Sequence, residues 1–211
     1  MKRIVILISG RGSNMQAILD AGLDATVVAV LSNNPAATGL ETARARGIET
    51  AVVNHRGYAD RRGFEDALGA KIASCRPDVI VLAGFMRILT GGFIERFGNC
   101  IMNIHPSLLP SFAGTDTHRR ALAEGVRFHG CTVHFVVPEV DRGPIIAQAV
   151  VPVMPEDSEA SLAARVLEQE HKIYPMAIRW FLEGRLAVDG GRVRILGDCT
   201  YPPTAIAPLP A

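Results

Sequence analysis

Short apolar runs alternate with helical stretches through the first half of the chain, and few folds accommodate that alternation. Ile4 to Ile8 is continuously apolar, as a strand buried on both faces requires. Thr26 to Leu31, Glu49 to Val53, Val79 to Ala83 and Cys100 to Ile104 follow as further strands. Between them the sequence predicts helices over Met15–Ala21, Leu40–Arg46, Phe64–Cys75 and Phe93–Phe97. Gly47 and Pro77 stand where two of these should stop. Strand–helix alternation of this kind specifies an α/β fold with a doubly wound, mostly parallel sheet, Rossmann-like in its N-terminal half.

After Pro110 the rhythm changes. Thr117–Glu124 reads as a helix, and Cys131–Val137 alternates like a half-buried strand. Ile145–Val153 resembles its partner, across the turn-rich stretch Pro138 to Pro144. A connection that short favours antiparallel pairing, so antiparallel edge strands are expected in the C-terminal half. Ser158 can cap a long helix running to about Glu183, which Pro175 should kink or split. Ala187–Leu196 reads as a hairpin around Asp189-Gly190-Gly191. Residues 1–198 are expected to form one domain, and 199–211, rich in proline, a poorly ordered tail.

The 211 residues suffice for one sizeable core, and a net charge of +1 with scattered Lys and Arg gives no footprint for nucleic acid. Lys2-Arg3 before Ile4–Ile8 imitates a signal peptide, but Ser9-Gly10-Arg11-Gly12 ends the apolar run too early. No run approaches membrane-spanning length. Cys75, Cys100, Cys131 and Cys199 form no C-x-x-C pair, so no metal knuckle is expected. Reduced, buried thiols suit a cytoplasmic protein.

In a parallel sheet the C-terminal strand ends share one edge, where ligands bind. Three features fall there. Gly12, Ser13 and Asn14 follow the first strand in a glycine-bearing turn whose N–H groups suit an anion; a plain βα turn is the alternative. Neither a dinucleotide fingerprint nor a P-loop is complete, because Met15 occupies the third glycine position and no Gly-Lys-Ser/Thr follows. Phe85-Met86-Arg87-Ile88-Leu89 follows the fourth strand and either lines a slot for a flat heterocycle or packs into the core around a solvated Arg. Asn103 and His105 end the fifth strand two residues apart and so face the same way, before Pro106 and Pro110 turn the chain out of the sheet. An amide and an imidazole at a sheet edge are either satisfied strand-end groups or a site for acid–base chemistry. Asp141 is a solvated turn residue unless its loop folds over His105. Glu170 lies inside the apolar stripe of the last long helix, which calls for a function unless it forms a salt bridge or sits at the stripe's exposed edge. His118, His134 and His171 lack metal-ligand spacing and are read as structural, with His134 near the site.

Taken together, these segments resemble the phosphoribosylglycinamide formyltransferases, the folate-dependent glycinamide ribonucleotide transformylases of purine synthesis. The resemblance rests on Gly12-Ser13-Asn14, Leu82 to Leu89, Asn103 to Pro110, Gly130 to Val136 with Asp141, and Gln169 to Pro175, in the family's order and spacing. It implies formyl transfer from 10-formyltetrahydrofolate, as co-substrate and without a metal, to the amine of glycinamide ribonucleotide. It implies a catalytic trio of Asn103, His105 and Asp141. Gly12, Ser13, Asn14 and Glu170 would hold the ribonucleotide. Arg61, Met86, Arg87, Ile88, Leu89, Asn103, Val140 and Asp141 would hold the folate. Partners would be these small molecules, with no nucleic acid and no membrane, and a homodimer is compatible with the family. Two positions depart from the expected pattern: Arg142 where a small residue is expected, and Ala113 where a proline is common.

Methionyl-tRNA formyltransferase and formyltetrahydrofolate hydrolase resemble the chain in the same core, but each is expected to carry a further domain. A non-catalytic nucleotide-binding module would leave Asn103, His105 and Glu170 without a role.

Overall fold

The computed structural model describes residues 1–200, and the expected tail lies, from 201 onward, outside them. Its centre is a seven-stranded sheet in the order β3-β2-β1-β4-β5-β6-β7. The strands are β1 (Lys2–Ile8), β2 (Ala25–Ser32), β3 (Thr50–Val52), β4 (Val79–Leu82), β5 (Ile101–His105), β6 (Phe128–Phe135) and β7 (Ile145–Pro152). The pairs β1–β2, β2–β3, β1–β4 and β4–β5 are parallel. The pairs β5–β6 and β6–β7 are antiparallel. The mixed sheet expected from the sequence is therefore the one observed.

Helices α1 (Ser13–Asp20), α2 (Gly39–Ala45), α5 (Thr117–Ala123) and α6 (Glu159–Leu182) cover one face. Helices α3 (Arg61–Ser74) and α4 (Gly91–Phe97) cover the other. The side chains of Ile4, Ile6 and Ile8 point into the first layer, and those of Val5 and Leu7 into the second. This two-sided burial is why the run is uninterrupted by polar residues. Burying one such side chain contributes about 1.5–3 kcal/mol.

Several boundaries depart from the sequence expectation for physical reasons. Helix α1 begins at Ser13 rather than Met15, because Gly12 adopts a left-handed φ of 74° and lets the helix start directly after the turn. Helix α3 begins at Arg61, because the Asp60 carboxylate accepts from Gly63 N–H and caps the extra turn. Cys100 ends a short 3-10 turn before β5 and is not a strand residue.

Strand β6 starts earlier than expected and is buried almost throughout, so its alternation of polar and apolar residues does not mark a solvated face. Thr132 is buried because its hydroxyl donates to Ser107 O and accepts from Leu109 N–H.

Helix α6 is one unbroken helix of 24 residues despite Pro175. Ser158 and Ser161 form the capping box at its start. Beside the proline, Tyr174 is fully buried and donates toward Leu82 O and Met102 O, at 3.1 and 2.9 Å. Those contacts on β4 and β5 anchor the helix where its own ladder loses a bond. Strands β8 (Leu186–Asp189) and β9 (Arg192–Ile195) form the expected hairpin, and Gly190 and Gly191 both take positive φ at its turn.

Candidate active site

Strand β5 delivers two of the expected residues. Its register pairs Asn103 with Leu82 on β4 and with His134 on β6, while His105 stands opposite Thr132. The antiparallel partner therefore places a second imidazole beside the Asn103 amide.

The hydrogen bonds fix the state of that imidazole. His134 Nδ1 lies 2.8 Å from Phe135 O, which can only accept, so Nδ1 carries the proton. His134 Nε2 then accepts from Asn103 Nδ2 at 3.2 Å. Burial pushes the His134 pKa down and keeps this ring neutral. The bond turns the amide nitrogen of Asn103 toward His134 and leaves its second N–H for another acceptor. Sequence reading treats His134 as structural; only the strand register reveals the contact.

The connection between β6 and β7 supplies the third residue. Asp141 takes a left-handed φ of 55° there. Its Oδ2 lies 3.4 Å from His105 Nδ1 and accepts from Gly114 N–H at 2.8 Å. Its Oδ1 lies 3.8 Å from His134 Nε2. The loop does fold over His105. On the other side of that ring, Nε2 lies 3.0 Å from Phe112 O. Both ring nitrogens face acceptors, an arrangement that the doubly protonated imidazolium satisfies.

A close approach to β6 holds this loop in place. A Cβ built on Gly143 would lie 1.7 Å from Phe135 O, so only glycine fits between the loop and β6. Arg142, the unusual cation, is exposed and lies outside the cleft lining.

Asn103, His105 and Asp141 border a cleft of about 600 Å³. Phe85, Ile88, Leu89, Val136, Pro138 and Val140 line much of the rest, with Met86 and Arg87 among the other lining residues. Met86 and Ile88 are 74% and 58% exposed, so the segment after β4 presents apolar side chains outward and is not simply core packing. Of the expected folate residues, Arg61 alone does not line the cleft; it is exposed on the first turn of α3.

The remaining expected residues form a second group. Gly12 caps α1 with no side-chain hydrogen bond, so the first-turn N–H groups are not satisfied by a cap. Asn14 Nδ2 donates to Glu170 Oε2 at 2.7 Å, joining α1 to α6. Glu170 is 7% exposed and forms no ion pair among the described residues, so the salt-bridge alternative does not hold. Burial raises its pKa, and the bond from Asn14 opposes that rise. Asn14 Oδ1 is buried without a hydrogen-bond partner. A carboxylate and an unpaired amide oxygen beside a helix N-terminus can receive a ligand's donors while the helix receives its anion.

The chain is similar to known proteins over most of its length. The family profile described as "Formyl transferase" matches residues 2–178. A Haemophilus influenzae protein named phosphoribosylglycinamide formyltransferase is 48% identical over 190 residues, covering 88% of this chain and 90% of its own. Its namesake in Escherichia coli is 50% identical over 187 residues, covering 87% and 88%. Among solved structures, glycinamide ribonucleotide transformylase 1 from Symbiobacterium toebii matches with a TM-score of 0.91 at 47% identity, over 93% of this chain and 95% of that one.

Proposed function

The chain belongs to the formyl transferase family, and on that premise we propose that it moves a formyl group from 10-formyltetrahydrofolate to the amine of glycinamide ribonucleotide. The reaction belongs to de novo purine biosynthesis. The observation that carries the reading is the meeting of Asn103, His105 and Asp141 at one cleft, although Asp141 comes from a loop far along the chain.

The apolar cleft suits the flat heterocycle of the folate, with Met86 to Leu89 and Val140 as its walls. The ribonucleotide phosphate takes the N–H groups of Gly12, Ser13 and Asn14, and Glu170 receives donors from the same substrate. Arg61 does not line the cleft, and its part in folate binding rests on the family resemblance alone.

The amine attacks the formyl carbon and generates a tetrahedral oxyanion. The free N–H of Asn103, oriented by His134, and a protonated His105 donate to that oxygen. Because Phe112 O holds His105 Nε2, the Nδ1 edge beside Asp141 is the side that serves the reaction. Asp141 steadies the imidazolium and helps pass a proton from the amine to the departing folate nitrogen. No step in this scheme calls on a metal.

No helix among the described residues is long and apolar enough to cross a membrane. The reading is of a cytoplasmic enzyme with residues 1–198 as its one domain, acting on two small molecules, and a homodimer is compatible with the family. Steady-state kinetics of Asn103→Ala and His105→Ala test it: each should lose about 10²–10³-fold in kcat, roughly 2.7–4 kcal/mol of barrier. Near-wild-type turnover in either variant would remove both residues from the chemistry.

A further inference from the structure

The segment Met86–Leu89 walls the cleft, yet the groups that fasten its start do not line the cleft. Ser9, directly after β1, uses every polar atom it has. Its hydroxyl accepts from Met86 N–H at 2.7 Å and donates to Asn33 Oδ1 at 2.5 Å. Its own N–H donates to Gly84 O at 3.1 Å, and its carbonyl accepts from Asn34 Nδ2 at 3.1 Å. Asn33 is buried, and His55 Nδ1 stands 3.0 Å from Asn33 O and 3.2 Å from Asn33 Nδ2. One hydroxyl thus joins Asn33, just after β2, to Met86 in the cleft wall, while the Ser9 main chain holds Gly84 after β4. The other end of the wall is fastened separately, where buried Glu65 accepts from both the N–H and the hydroxyl of Thr90.

We infer that Ser9 is a positioning residue for the formyl donor: its hydroxyl, held by Asn33, sets where the Met86–Leu89 wall stands relative to the acceptor turn that begins at Gly10. This rests on the formyl-transfer reading. Ser9 stands at the start of the turn that leads to Gly12 and touches the wall through a single bond. Removing the hydroxyl frees the Met86 N–H at a solvent-exposed turn, where water can replace the partner. The hydroxyl's other partner, Oδ1 of buried Asn33, loses its donor in the same variant, while the main-chain bonds of Ser9 remain. Some stability is lost at Asn33, the main-chain bonds keep the turn, and the consequence for function falls on where the wall stands.

Steady-state kinetics of Ser9→Ala should show KM for 10-formyltetrahydrofolate raised about tenfold, the scale of one lost hydrogen bond. The KM for glycinamide ribonucleotide and kcat at saturation should stay within about twofold, and Ser9→Thr, which keeps the hydroxyl, should restore the donor KM. Calorimetric titration with tetrahydrofolate should show the same weakening, about tenfold, with no turnover involved. Should Ser9→Ala fail to fold, Ser9→Cys, a weaker acceptor of similar size, gives the same readouts. An unchanged donor KM, or an equal rise in both KM values with a lowered melting temperature, overturns the inference. A wild-type protein that binds tetrahydrofolate but formylates nothing overturns the functional reading instead, and the calorimetric comparison then still decides the role of Ser9.

Discussion

The turn after β1 and the loop between β6 and β7 both approach the sheet edge, and both depend on glycine, but for different reasons. Gly12 is needed for its left-handed φ of 74°, which starts α1 at once and aims main-chain N–H groups outward. Gly143 is needed because Phe135 O leaves no room for a Cβ. The first loop offers mostly main-chain donors and is built by local sequence. The second brings one carboxylate to two histidines across the fold, and is built by strand pairing. On the proposed function, acceptor binding falls on the parallel side of the sheet and titratable chemistry on the antiparallel seam.

Substitutions on the two sides should separate accordingly. The largest effect is expected on the seam. Gly143→Ala forces the loop off β6 and carries Asp141 with it, and a displacement of roughly 1 Å can cost about 10²-fold in rate. Measured kinetics should show that loss in kcat; a variant with full kcat would mean that Asp141 need not be held this closely.

On the parallel side, Glu170→Gln should raise KM for the ribonucleotide about tenfold and leave kcat near wild type, since a bond to a charged acceptor is worth roughly 1.5–3 kcal/mol. Stability should move the other way. Because burial raises the Glu170 pKa, its neutral form is favoured in the fold; the associated stability is present at low pH and lost as pH rises through the folded value. Thermal unfolding at neutral pH should therefore find Glu170→Gln no less stable than wild type. A clear fall in melting temperature would show that the carboxylate supports the fold.

A third effect, on stability rather than on turnover, concerns the acid sensitivity of the seam. Burial, and then the neighbouring His118, push the His129 pKa down to about 4. The unfolded chain, with the ordinary value near 6.5, binds the proton first. Stability is full above that value and falls as the pH drops toward about 4. At about pH 5 the expected loss is roughly 2 kcal/mol. Urea unfolding of His129→Gln should show a shallower decline over this range, and an unchanged slope would assign the acid sensitivity elsewhere.

The same contrast explains what could be read in the sequence. The run Ile4–Ile8 declares a strand covered on both faces, and Gly12-Ser13-Asn14 declares the turn that follows, because both are local events. Strand β6 was harder, since Thr132 and His134 look like a solvated face and are instead buried against the chain after β5 and the Asp141 loop. His134 carried no sequence signal beyond its nearness to the Asp141 loop; its bond to Asn103 follows from the register of β5 on β6. The distance from His105 to Asp141 depends on how a turn-rich loop packs, which residue types alone do not determine. Pro175 leaves the helix unbroken for a related reason: its penalty is local, whereas Tyr174 anchors the helix on β4 and β5 across the fold.

If the acceptor is held on the parallel side and the formyl group is activated at the seam, turnover requires both sides at once. The direct measurement is the rate of tetrahydrofolate release from 10-formyltetrahydrofolate, with and without glycinamide ribonucleotide, alongside the formylated ribonucleotide formed. The expected result is release that depends on the acceptor and matches formylated product one for one. Release at the same rate without the acceptor would identify a hydrolase and contradict the account.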